Sequence, residues 1–149
     1  MADTIVVGHD GSEASEAAVK VATEFAKDRP GSEVVVTCAV HQPIGVVGHP
    51  TQEVAYAADR YLEEMAPYIE ERLEKSAEVV RAAGVKCATA CMHGEPVDIM
   101  LKVAEEVDAR LIVVGSTGAG VMAELLGSTT TRLLRKSKLP VVVVPKPEK

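Results

Sequence analysis

Aromatic side chains are nearly absent. The 149 residues include one Phe, three Tyr and no Trp, 3% in all. That leaves no stacking platform of the kind that grips single-stranded nucleic acid. Positive charge is also short: 16 Lys and Arg stand against 22 Asp and Glu, a formal net charge of −6. Duplexes are held chiefly by Lys and Arg on phosphates, so nucleic acid is not an expected partner. No apolar run approaches the ~20 residues that a membrane helix needs. The start, MADTIVVGHD, lacks the charged head and long apolar middle of a secretory signal. Cysteine is limited to Cys38, Cys87 and Cys91, an odd set without framework spacing, which fits a reducing cytoplasm.

Apolar residues make up 47% of the chain, ample for one core, and the length is that of a single domain, 1–149. With so few aromatics the core is built from Val, Ala, Leu, Ile and Met. Valine-rich runs fit buried parallel strands.

Strand-like and helix-like segments alternate. Thr4–His9 is an apolar run ending at Asp10-Gly11-Ser12, a turn and helix-start signal. Ala14, Ala17, Ala18, Val21, Ala22 and Phe25 then share one helix face, and Arg29-Pro30-Gly31 stops it. Glu33–Val40 reads as a second strand. His41–Pro50, holding His41 and His49, reads as a solvated Pro/Gly loop, or as a lid. A long helix is expected over roughly Thr51–Ala83, kinked or split by Pro67 near Ala66 and followed by Gly84 as its C′ residue. Val85–Cys91 is the third strand, and Pro96 opens the next helix. Ala109–Gly115, Ser128–Lys136 and Pro140–Val144 supply the fourth strand, the last helix and the fifth strand. Such alternation predicts an α/β fold: a doubly wound, Rossmann-like, five-stranded parallel sheet with helices on both faces. With strands one and four as neighbours, the order is 3-2-1-4-5. Ligands of such sheets sit beyond the strand carboxyl ends where the winding reverses, so Asp10 and Gly115 face one crevice.

The most informative segment runs from Leu111 to Pro145. An apolar strand ends in a glycine-rich turn (Gly115, Gly118, Gly120), and Gly127 opens a hydroxyl run, Ser128 to Thr131. Glycines admit close backbone approach. Free N–H groups at a helix start favour an anion. Together they predict a phosphate site. The turn also reads as a simple strand-to-helix connection, and Asp10 as a capping residue. It is not a P-loop, because no Gly-Lys-[Ser/Thr] follows, and its G-x-x-G-x-G order is not the dinucleotide fingerprint. Glu124, near the expected phosphates, is either solvated or placed to hold a metal, and the solvated reading is favoured. Cys87, Cys91 and His93 are too few ligands for structural zinc, so no metal site is assigned. A Cys91–His93 nucleophile pair lacks a group to orient the His.

Four motifs in order resemble the universal stress protein family over almost the whole chain. They are Val7-Gly8-His9-Asp10-Gly11-Ser12, Gly94-Glu95-Pro96, Gly115-Ser116-Thr117-Gly118 leading to Gly127-Ser128, and Pro140–Val144. The nucleotide-binding branch carries G-x2-G-x9-G-[ST] after strand four. Here only Ala119–Leu126 separate Gly118 from Gly127, one residue fewer. The resemblance implies binding of ATP or a related adenine nucleotide. Asp10 would hold the ribose, and Val40 would lie against the base. Gly115 and Gly118 would approach ribose and phosphates, and Gly127, Ser128 and Thr129 would donate to phosphates. It also implies a cytoplasmic homodimer pairing through Val141–Val144, acting in stress response or signalling.

The glycine loop holds no Lys or Arg, and no paired acids present themselves for Mg²⁺, which the nucleotide's phosphates would carry instead. His9 is a candidate base, though it more plainly ends a strand. No catalytic residue is assigned, and slow ATP hydrolysis is the most that is expected. Two alternatives stay open: a dimeric interaction protein that binds no nucleotide, and a cyclic AMP binder.

Overall fold

The computed structural model describes residues 3–40, 52–117 and 126–148. Five strands alternate with four helices: β1 (Thr4–Gly8), α1 (Glu13–Lys27), β2 (Glu33–Val40), α2 (Gln52–Ala82), β3 (Lys86–His93), α3 (Pro96–Glu106), β4 (Leu111–Gly115), α4 (Ser128–Lys136) and β5 (Val141–Val144). The sheet order is β3-β2-β1-β4-β5, with every pairing parallel. Val7 of β1 pairs with Val36 on one side and Val113 on the other. The winding therefore reverses between β1 and β4, and the strand ends open a crevice there.

Alternation of side chains splits the core into two layers. Ile5, Val7, Val34, Val36 and Val113 pack against Ala18 and Ala22 of α1 and Leu73 and Val80 of α2. Val6, Val35, Ile112 and Val114 pack against Val97, Met100 and Val103 of α3 and Leu133 of α4. A strand covered on both faces needs apolar residues at successive positions, which is why these strands read as unbroken valine runs. Each buried Val, Leu, Ile or Met among them contributes on the order of 1.5–3 kcal/mol.

The helix ends follow the signals in the sequence. Pro96 is the first residue of α3, with Glu95 as its cap. Gly84 stands at φ +82, while Val85 N–H reaches back to Val80 C=O and Gly84 N–H to Arg81 C=O. This is the paired C-terminal bonding that a glycine at C′ permits.

Pro67 does not split the helix. The helix runs through it unbroken from Gln52 to Ala82. Pro67 and Glu63, whose carbonyl loses its donor, are both exposed. That side of the helix faces solvent, and the buried Leu73, Ala77 and Val80 anchor the helix on its other face. The expectations for the His41–Pro50 loop and for Gly118, Gly120 and Glu124 fall outside the described residues.

Candidate functional site

A hollow of about 150 Å³ opens at the carboxyl ends of β1, β2 and β4. Asp10, Gly115, Gly127, Ser128 and Thr129 all line it. So do Thr37, Ala39 and Thr117 from the strand ends, and Ile99 and Met100 from α3. Val40 lines a neighbouring slot of about 350 Å³, closed on its far side by Tyr61, Met65 and Tyr68 of α2. His9, Asp10 and Ala39 border both spaces.

Three helix starts converge on the hollow, and they differ. The start of α1 is closed by Ser12, whose Oγ accepts from Ser15 N–H at 3.1 Å. Glu95 closes α3: its Oε2 accepts from Asp98 N–H at 3.2 Å. The start of α4 has Gly127 as its cap and no side-chain acceptor. Its first intrahelical bond runs from Thr131 N–H to Gly127 C=O. Among the described residues, nothing accepts from the amides of Ser128, Thr129 and Thr130. Such amides, with the dipole behind them, attract an anion.

The approach to α4 is held in shape from behind. Gly127 N–H donates to Ser116 C=O at 2.8 Å, and Ser116 N–H to Val144 C=O at 2.7 Å. The buried Thr130 donates its hydroxyl to Gly115 C=O at 2.8 Å. Arg132 Nη1 bonds Glu95 Oε1 at 2.8 Å, joining α4 to the cap of α3.

Asp10 is exposed on the opposite wall. Its Oδ1 accepts from Ser12 N–H at 2.9 Å, an Asx turn that still leaves a carboxylate facing the hollow. His9, beside it, is buried, with only 7% of its surface exposed. Burial pushes its pKa below the ordinary histidine range, against the pull of Asp10 and Glu16. Its Nδ1 accepts from Gly11 N–H at 3.2 Å, and its Nε2 meets Ser76 Oγ at 3.3 Å. With both ring nitrogens engaged, His9 is a structural group here rather than an open base.

Gly115 has a cause that sequence reasoning missed. A Cβ there would stand 2.7 Å from the Ala14 Cβ and 2.8 Å from the Ala14 carbonyl carbon. The close seat of α1 on β4 therefore requires glycine, whatever occupies the hollow. Thr37, Ala39, Ile99, Met100 and Thr130 were also missed as lining residues. Thr130 belongs to the hydroxyl run and was within reach of the sequence; the others read as strand or helix core. Burial raises the thiols of Cys38 and Cys87 to about 11, so neither is a ready nucleophile. No three His, Cys, Asp or Glu side chains form a metal-binding group among the described residues.

Comparison with known proteins adds the family. The profile of the "Universal stress protein family" matches residues 1–145. The chain belongs to the universal stress protein family. Universal stress protein MJ0531 of Methanocaldococcus jannaschii is 33% identical over 97% of this chain and 83% of its own length. Universal stress protein Rv1636 of Mycobacterium tuberculosis is 34% identical, over 95% of this chain and 94% of its own. Among solved structures, a universal stress protein in complex with cAMP superposes with a TM-score of 0.71 at 29% identity, covering 98% of each chain. No helix among the described residues is long and apolar enough to cross a membrane.

Proposed function

We propose that this universal stress protein binds an adenine nucleotide, ATP in the first place, in the hollow between β1 and β4. One observation carries the reading: α4 alone, of the three helix starts around the hollow, offers its first-turn amides without a side-chain acceptor. The phosphates lie there, on Gly127, Ser128 and Thr129. Gly115 stands under the ribose and Asp10 holds its hydroxyls. The base lies toward Val40, in the slot walled by Tyr61 and Tyr68, which suits an apolar ring with polar edges.

Magnesium accompanies the nucleotide on its phosphate oxygens rather than on a protein cluster. Hydrolysis of the bound ATP, where it occurs, is slow. Arg132 of α4 is paired with Glu95, and both ring nitrogens of His9 are occupied. The protein works as a cytoplasmic stress or signalling module and pairs as a homodimer through Val141–Val144. That strand forms one edge of the sheet, and three of its four valines are only half-buried, which favours pairing over exposure.

The test is calorimetry with ATP on the native chain and on Asp10→Ala and Gly127→Val. Each substitution is expected to weaken binding at least about tenfold, ~1.4 kcal/mol. Unchanged affinity in both removes the assigned site, and no binding by the native chain favours an interaction protein without nucleotide. A second reading, cyclic AMP as ligand, is favoured by the similar structure in complex with cAMP. Competition between ATP and cyclic AMP decides between them.

A further inference from the structure

We infer that His9 and Arg72 are positioning residues for Asp10, and that proton uptake by His9 loosens the turn and weakens nucleotide binding. The inference rests on the nucleotide reading given above and concerns regulation of that site. Asp10 sits at the tip of an exposed turn between β1 and α1, where its N–H donates to Ser15 Oγ at 3.4 Å and its Oδ1 accepts from Ser12 N–H at 2.9 Å. The turn is held further through Gly11. Gly11 follows Asp10, and both polar groups of Gly11 are held by side chains. Its N–H donates to His9 Nδ1 at 3.2 Å, and its C=O accepts from Arg72 Nη2 at 3.0 Å. Arg72 belongs to α2, 61 residues away. Its guanidinium lies flat against the glycine, with atoms 2.8–2.9 Å from where a Cβ would stand, and Gly11 itself is at φ +85. The turn and α2 are built for each other.

The bonding fixes the state of His9. An amide N–H only donates, so Nδ1 must be unprotonated and Nε2 carries the hydrogen. Nε2–H then donates to Ser76 Oγ at 3.3 Å, and the Ser76 hydroxyl donates onward to Arg72 C=O at 3.4 Å. A proton on Nδ1 would set one N–H against another and release Gly11. The charged groups around the ring are mixed. Asp10 on the turn and Glu16 on α1 favour the imidazolium, and Arg72 on α2 opposes it. Lys20 of α1, with Glu71 and Lys75 of α2, line the groove beside the ring, and Cys38 lines the slot on its other side. Burial outweighs the carboxylates, so the ring is neutral at neutral pH and charges only below the ordinary histidine range. Nucleotide affinity should therefore hold above that range and fall beneath it.

The test is ATP binding by the full chain from about pH 8 to about pH 5. The native chain is compared with His9→Ala, His9→Asn, Arg72→Met and Arg72→Lys. The nucleotide's own titration is common to all and cancels in the ratios. At the upper pH, His9→Ala and Arg72→Met should each bind about tenfold more weakly. His9→Asn presents an oxygen where Nδ1 stood, so it should recover most of that loss, and its affinity relative to the native chain should rise as the pH falls through the range where His9 charges. Arg72→Lys should recover only part, since one ammonium cannot cover Gly11 as the fork does. Binding by the native chain together with unchanged affinity and an unchanged profile in His9→Ala and Arg72→Met overturns the positioning role and leaves the nucleotide site standing. Absence of ATP binding by the native chain overturns both. Nitrogen NMR of the His9 ring gives a check that needs no variant: a protonated Nδ1 at neutral pH contradicts the inference.

Discussion

The starts of α1 and α4 face each other across one hollow and are made in opposite ways. The first turn of α1 is closed on itself. Ser12 caps it, and the Ser15 hydroxyl bonds back to Ser12 C=O at 2.9 Å. Ala14 and Ser15 are packed against Gly115 with no room for a Cβ between them. Among the described residues, the first turn of α4 is open, with glycine as cap and no acceptor for the amides beyond it. Closure at α1 serves the fold. Openness at α4 leaves unmet hydrogen-bonding capacity at a strand end, which a compact protein keeps where a ligand is to complete it. The lesson is that glycine means different things on the two walls: at Gly115 it makes room for a helix, and at Gly127 it leaves room for an acceptor.

Four substitutions would break or sharpen that contrast. The largest effect is expected from Gly115→Val, which forces α1 off β4. Overpacking of this kind should cost about 3 kcal/mol, read as a lower midpoint in chemical denaturation. A variant as stable as the native chain would show that α1 is not seated as described. Next is Gly127→Asp, which gives α4 the cap it lacks. Gly127 already has the extended cap conformation, φ −62 and ψ 155, so Asp fits without strain. Stability should rise by a few tenths of a kcal/mol, while ATP affinity falls at least about tenfold as the carboxylate takes the phosphate's place. Ser12→Ala opens the other helix and should cost about 1 kcal/mol of stability. A thermal melt measures it, and no loss would mean the cap bond is not formed. The smallest effect belongs to Arg132→Ala. The pair with Glu95 is half-exposed, so its removal should cost about 0.5 kcal/mol, fading at high salt. A loss several times larger would mark Arg132 as part of the α3–α4 scaffold.

Acid adds a further contrast. A buried, neutral His9 takes up its proton more readily in the unfolded chain than in the folded one. Its contribution to stability is therefore complete above the unfolded value of 6.5 and is lost as pH falls from there toward the lowered folded value. The His9→Asn chain should lack that part of the acid sensitivity in a denaturation series over pH.

Much of the fold was legible in the sequence because its signals are local. Valine runs such as Val34–Val36 and Ile112–Val114 announce strands covered on both faces, and Pro96 and Gly84 mark helix ends within a turn. The hollow was legible in part: Asp10, Gly115, Gly127, Ser128 and Thr129 do line one space. What could not be read is distant pairing. Nothing in the spacing of His9 and Ser76, 67 residues apart, says that they touch, nor does Arg72 announce the carbonyl of Gly11. The split at Pro67 failed to appear for a related reason. A proline's cost in a helix depends on whether water can reach the carbonyl it orphans, and that is fixed by which face of α2 meets the sheet.

The most direct test of the account compares ATP with adenosine in the native chain and in Gly127→Asp. The open α4 start predicts that the native chain binds ATP at least about tenfold more tightly than adenosine, and that the added carboxylate erases the difference. Equal affinity for the two ligands in the native chain, or a preference for ATP that survives in Gly127→Asp, would contradict it.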